Sequence, residues 1–233
     1  DSENQYFADG IMEDILNQLF RIREMKVVSR TTAEYFRDSH MTSPEIARKV
    51  SVNYVLEGSV QRSENKVRIF VQMIDARNDQ HILSERFEGD MTSIFLLQNN
   101  IAKKVADQLE AVLSNEEMRQ IDRMPSTNPE AYDYYLKARF LVNKANDEQR
   151  VDINREGLMS SIQYFEKAIA ADTNFAEAYA GLADAWFNLS AWGWYQPYSE
   201  GILKAKEFSM KALEINPDCA EAHAVKGGYL NWP

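Results

Sequence analysis

The residues of this 233-residue chain that could carry out chemistry do not converge on a reaction. His40, His81 and His223 are far apart and none has a ligand partner at helical spacing. Turn, strand-end and packing positions therefore account for them better than metal binding does. Cys219 is the only cysteine, which excludes an intrachain disulfide and a thiolate metal cluster. The paired carboxylates Glu13-Asp14 and Glu116-Glu117 fall in the first turns of expected helices, where the macrodipole explains acidic side chains. Gly-x-Gly-x-x-Gly, Gly-x-x-x-x-Gly-Lys-Ser/Thr and Gly-x-Ser-x-Gly do not occur, so phosphate-cradling loops and a nucleophile elbow have no support. No catalytic residue, cofactor or metal is expected. The densest feature is aromatic: Trp186 and Phe187, then Trp192-Gly193-Trp194-Tyr195-Gln196-Pro197-Tyr198. These rings either plug the space left by a long connection between helices or form a partly exposed wall that grips a peptide or small ligand. Trp192, Trp194 and Tyr195 are the candidate binding residues in the second case.

The elements that position these residues divide at about the middle of the chain. Residues 52 to 88 alternate apolar and polar side chains through Val52, Tyr54, Leu56, Gly58 and Val60, and again through Val67, Ile69, Val71 and Met73. Polar breaks at Ser63-Glu64-Asn65 and Arg77-Asn78-Asp79-Gln80 make this a three-stranded antiparallel meander, with a less regular third strand from Ile82 to Phe87. An amphipathic helix is expected over residues 9 to 22 with Asp9 as its cap, then a buried strand over Met25 to Ser29. Thr42-Ser43-Pro44-Glu45 starts another helix, with Ser43 able to cap and a capping-box spacing from Thr42 to Glu45. Ile94, Leu97, Ile101, Val105, Leu109 and Val112 mark a long helix, and a second box, Ser114 to Glu117, restarts or bends it. The order predicts an α/β domain over residues 1–124, with helices on a mixed sheet.

A net charge of -10 is spread evenly, with 16 Lys/Arg against 21 Asp/Glu in residues 1–125 and 10 against 15 thereafter. An acidic field in both halves opposes phosphate-backbone binding, so no nucleic-acid partner is expected for this segment. No apolar run is long enough to span a bilayer and the first residues lack a signal-peptide pattern, so membrane insertion is not expected. Cytoplasmic location is the expectation, with the periplasm as alternative should an upstream span exist.

Residues 124 to 129, MPSTNP, read as a linker, and the chain from 125 to 233 reads as all-helical. YFADGIMEDILNQLF, VNYVLEGSVQRSENKVRIFVQMIDARNDQHILSERFEGD and IFLLQNNIAKKVADQL resemble the TolB-like amino-terminal domain of bacterial regulatory proteins, over residues 6 to 113. In that family an apolar strand and a Pro-Phe turn precede the Tyr-Phe-Ala-Asp-Gly segment. The resemblance thus implies that residue 1 lies inside the domain and leaves a sheet edge open or covered by a neighbouring molecule. Phe165, Ala168, Asp172-Thr173-Asn174, Ala176-Glu177-Ala178-Tyr179 and Leu182 resemble helix B, turn and helix A of a tetratricopeptide repeat. Asn128-Pro129-Glu130-Ala131-Tyr132 opens the first unit, and Ala205, Ala212 and Pro217 precede a third at Ala220-Glu221-Ala222-His223. Tyr132, Tyr179 and His223 are 47 and 44 residues apart, where the usual period is about 34, so insertions are expected at Lys144 to Arg155 and at the aromatic segment. Leu136 and Lys226 depart from the repeat pattern, and the third unit stops without a helix B.

The resemblance implies a non-catalytic regulatory or scaffolding segment of a bacterial signalling protein, beside a nucleotide cyclase or a DNA-binding output domain. Its repeats imply a protein or peptide partner, or another domain of the parent chain. By position, the helix A contacts would be Asp133, Lys137, Asp184 and Asn188. The alternatives are a small-ligand receptor or enzyme built on the α/β domain, or an accessory part of a cyclase.

Overall fold

A computed structural model describes residues 4–37, 39–147 and 151–231. The chain divides into two compact units, Asp1–Met124 and Pro125–Pro233.

The first unit is built on three strands, β1 (Tyr54–Ser63), β2 (Lys66–Asp75) and β3 (Gln80–Asp90), in the order β1-β2-β3. Both pairings are antiparallel, with Gly58 opposite Val71, Val60 opposite Ile69, and Ile69 opposite Phe87. The sheet is therefore antiparallel throughout where a mixed sheet was expected, because tight turns join its strands and a parallel pair needs a long crossover. Val67, Ile69, Val71 and Met73 share one face and are all buried, as their period of two requires. Helix α1 (Gln5–Phe20) and a later helix, α4 (Ile94–Gln108), pack together and against the sheet, α1 along β1 and α4 along β3. Gly58 lets α1 approach β1 closely: a Cβ there would stand 3.1 Å from Met12 Cε and 3.0 Å from the Phe70 carbonyl. Among the described residues no strand pairs with the outer edges of β1 and β3.

Three local expectations are corrected. The cap of α1 is Asn4, so Asp9 lies inside the helix, where it accepts a hydrogen bond from Arg37 Nη1 at 2.7 Å. Met25 to Ser29 forms no strand; its last residue caps α2 (Arg30–Tyr35), the Ser29 hydroxyl accepting from the Thr32 N–H at 3.2 Å. In α3 (Ser43–Val50) the cap is Thr42, with Ser43 already helical and donating to Glu57 at 2.9 Å. The second box starts a new helix, α5 (Asn115–Asp122). Glu117 of that box also accepts from the Arg23 N–H at 2.8 Å, and these hydrogen bonds hold its carboxyl down at about 2.

The second unit contains helices α6 (Pro129–Asp147), α7 (Val151–Ala171), α8 (Ala176–Ala191), α9 (Tyr198–Ile215) and α10 (Ala220–Leu230). They form antiparallel hairpins: α6 with α7, α8 with α9, and α10 laid against both α8 and α9. The charged region from 144 to 155 extends α6 and α7 rather than forming a long loop, and residues 148–150 lie outside the described ones. Asn128 caps α6 by accepting from the Glu130 N–H at 2.9 Å, and its amide donates to the Ala171 carbonyl at 2.8 Å. The α7–α8 and α9–α10 corners reuse one device: Asp172 accepts from the Asn174 N–H at 2.9 Å, and Asn216 from the Asp218 N–H at 3.2 Å. Tyr135 packs between Phe175 and Phe165, with ring centroids at 4.8 and 6.1 Å, and Leu136 is fully buried. Lys226 and His223 are exposed on α10, His223 lying with Nε2 2.7 Å from the Pro217 carbonyl oxygen.

Candidate partner-binding surface

Helix α8 ends where Gly193 adopts φ +71°, a left-handed conformation that costs glycine little. The chain folds back so that the N–H groups of Trp194 and Tyr195 both donate to the Leu189 carbonyl, at 2.9 and 3.1 Å. This tight cap splits the aromatic segment into two halves with different roles.

The inner half is an anchor. Trp186 is buried, and the Tyr195 ring meets it edge-on with centroids 4.9 Å apart. The Lys204 ammonium sits 4.0 Å from the Trp186 ring centroid and 5.3 Å from that of Tyr195. Glu200, one turn earlier on α9, closes the cluster by accepting from the Tyr195 hydroxyl at 3.0 Å and pairing with Lys204 at 3.2 Å. Those two hydrogen bonds lower the Glu200 pKa, and burial opposes the Lys204 charge less than its partners favour it, so the Lys204 pKa rises. Tyr195 is thus a clip between loop and helix, half-buried against Trp186 and tied to Glu200.

The outer half is displayed. Trp192 is 67% exposed and stacks on half-buried Trp194, with ring centroids 5.9 Å apart and planes 20° from parallel. Asp184, Asn188 and Trp192 follow one another at four-residue steps, so they line one side of α8. The Asn188 side-chain amide donates to the Asp184 carbonyl at 3.0 Å. Burial lifts the Asp184 carboxyl to about 6, against a smaller lowering by the Asn188 side chain. On α6, Asp133 and Lys137 form an i, i+4 ion pair at 2.8 Å, and the Lys137 ammonium lies 5.8 Å from the Tyr134 ring centroid. The structure therefore groups Asp184, Asn188, Trp192 and Trp194 on one helix and its cap, while Asp133 and Lys137 satisfy each other on another. Among the described residues no group of three or more His, Cys, Asp or Glu could hold a metal.

A further feature of this unit escaped the sequence reading. An open groove of about 760 Å³ runs between α7 and α9 over α8, with Tyr179 and Leu182 in its floor. The signal for it was present: Phe208 and Met210 lie off the small-residue stripe Ala205, Ser209 and Ala212 that α9 buries.

Residues 1–104 match the family described as HilA/YgeH-like transcriptional regulator, second domain. The chain is also 25% identical, over 232 residues, to the protein named "Putative adenylate cyclase 3" of Rhizobium meliloti (strain 1021). That alignment takes in 100% of this chain and 38% of the relative's own length. Both similarities are to proteins named for regulation or signalling, consistent with such a role for this chain. No helix among the described residues is long and apolar enough to cross a membrane.

Proposed function

We propose that these residues form a non-catalytic regulatory segment of a bacterial signalling protein. In this reading a TolB-like α/β unit precedes tetratricopeptide-type hairpins, and the hairpins bind a protein or peptide, or another part of the parent chain. The observation that carries it is the Trp192–Trp194 pair, displayed on an anchored cap beside Asp184 and Asn188. Anchored aromatic rings supply large contact area with little entropy left to lose, which is how the central residues of protein interfaces act. The acidic charge of both halves disfavours DNA contact, so the segment controls an output located elsewhere, a nucleotide cyclase or a transcription-regulating domain. A cytoplasmic setting accompanies this reading.

The test is photo-crosslinking in cells with a photoactivatable aromatic residue at position 192. Adducts to one protein, or to one stretch of the parent chain, that disappear on Asp184→Lys while a thermal melt shows the variant folded support the reading. Adducts insensitive to that change, or none, defeat it. A thermal-shift screen with nucleotides and sugars separates the small-ligand alternative, since a ligand at a hundred times its Kd adds about 2.7 kcal/mol.

A further inference from the structure

The groove between α7 and α9 is a second apolar surface of this unit, distinct from the tryptophan pair. Ile169 contributes from α7 and Phe208 and Met210 from α9, with Met210 49% exposed. On α8, Tyr179 and Asp184 are five residues apart, which rotates them by about 140° around the helix axis. The groove and the Asp184–Trp192 stripe therefore lie on different sides of α8.

Its rim carries an excess of carboxylates. Glu166, Glu207 and Glu214 border the groove, and the lone basic side chain lining it, Lys211, is paired with Glu214 at 3.0 Å. Glu166 and Glu207 are exposed and flank the apolar floor from opposite walls. Two carboxylates in excess over an apolar trough select against acidic partners, including a second copy of this chain with its net charge of -10. The trough is bounded by two helices and open along its length, the shape that receives an amphipathic helix through residues at i, i+3, i+4 and i+7. Met210 adds an unbranched side chain that adapts to different anchors.

We propose that this groove docks a basic amphipathic helix, whose apolar face covers Ile169, Tyr179, Phe208 and Met210 while its Lys or Arg residues meet Glu166 and Glu207. The proposal rests on the reading of this unit as a partner-binding module and assigns it a second surface with a defined partner chemistry.

The experiment uses the whole chain and a fluorescein-labelled helical peptide of about 18 residues, with Leu on one face and Lys flanking it. Fluorescence anisotropy is followed at low and raised salt, and thermal melts establish that each variant is folded. Binding should weaken with salt, and Glu166→Lys with Glu207→Lys, or Met210→Asp alone, should each weaken it about tenfold or more. Trp192→Ala should leave it unchanged. Equal binding of a peptide with Glu in place of every Lys, equal binding by folded groove variants, or no binding at all overturns the proposal. Loss of binding on Trp192→Ala with the groove variants unaffected overturns it too, and moves the peptide to the tryptophan surface. The crosslinking from position 192 remains an independent readout, so the groove can fail while the partner-binding reading stands.

Discussion

Asp184→Asn should stabilise the helical unit at neutral pH, and the gain should vanish in acid. Burial raises the folded-state carboxyl from 3.8 to about 6, net of the opposing contribution of Asn188. A group whose pKa is higher folded than unfolded holds its proton more tightly in the folded chain. Stability therefore falls as pH rises between the two values, and the full cost is present above about 6. At 1.36 kcal/mol per unit, a shift of this size corresponds to at most about 3 kcal/mol, and partial solvent access at this half-buried position reduces it to roughly 1–2 kcal/mol. Asparagine keeps the shape of the side chain and its carbonyl can still accept from Asn188. Urea unfolding followed by tryptophan emission reports this unit alone, because Trp186, Trp192, Trp194 and Trp232 all lie in residues 125–233. The variant should match the wild type at about pH 3, below the unfolded-state value of 3.8, and exceed it by roughly 1–2 kcal/mol at about pH 8. A difference independent of pH, or a loss of stability at the higher pH, would refute the assignment of the cost to a buried charge.

Trp192→Ala should change stability by less than about 1 kcal/mol, since the ring is mostly in solvent; a larger loss in chemical denaturation would mean that it supports the fold. Gly181→Ala would place a Cβ 2.3 Å from Phe165 Cζ in the packed core, and should cost roughly 1–3 kcal/mol in the same measurement, against a near-neutral outcome if the ring moves aside freely. In the first unit, Ser114→Ala should cost about 1 kcal/mol by removing the cap of α5, measured by far-ultraviolet circular dichroism. Glu117 has its pKa lowered from 4.5 to about 2, so its contribution is present above 4.5 and lost as pH falls towards 2, the opposite sign to Asp184. Glu117→Gln should flatten acid unfolding of the first unit in that window, and an unchanged acid limb would argue against it.

The meander was legible because its information is local. Alternation of Val67, Ile69, Val71 and Met73 assigns a face, and the turn sequences allow one register. Met25 to Ser29 misled because a short apolar run carries no period, so it cannot distinguish a strand from an extended connection that ends in a helix cap. Asp9 misled for a related reason: acidic residues suit both a cap and a first or second turn, and Asn4 begins the helix earlier. The groove was hidden because its walls come from helices separated by some forty residues of chain, and only their packing brings Ile169 opposite Phe208. What sequence could show was that Phe208 and Met210 stand outside the buried stripe of α9.

In the aromatic segment the inner rings plug the connection, and the outer pair is the part to which the proposed binding role applies. Fixing a loop residue costs roughly 1–2 kcal/mol of backbone entropy, so an ordered loop needs compensating contacts. Trp186 and Tyr195 provide them through burial, an edge-on ring pair worth about 0.5–1.5 kcal/mol and a shared cation worth up to about 2 kcal/mol. Trp192 takes no part in that cluster and exposes 67% of its surface. A single exposed apolar residue is ordinary, but here a second tryptophan is stacked against it on a cap whose geometry Gly193 and the Leu189 carbonyl already set. The loop is held without Trp192. What that ring contributes is then decided by what it meets: Trp194 is half-buried, while Trp192 stacks on it with most of its own surface in solvent.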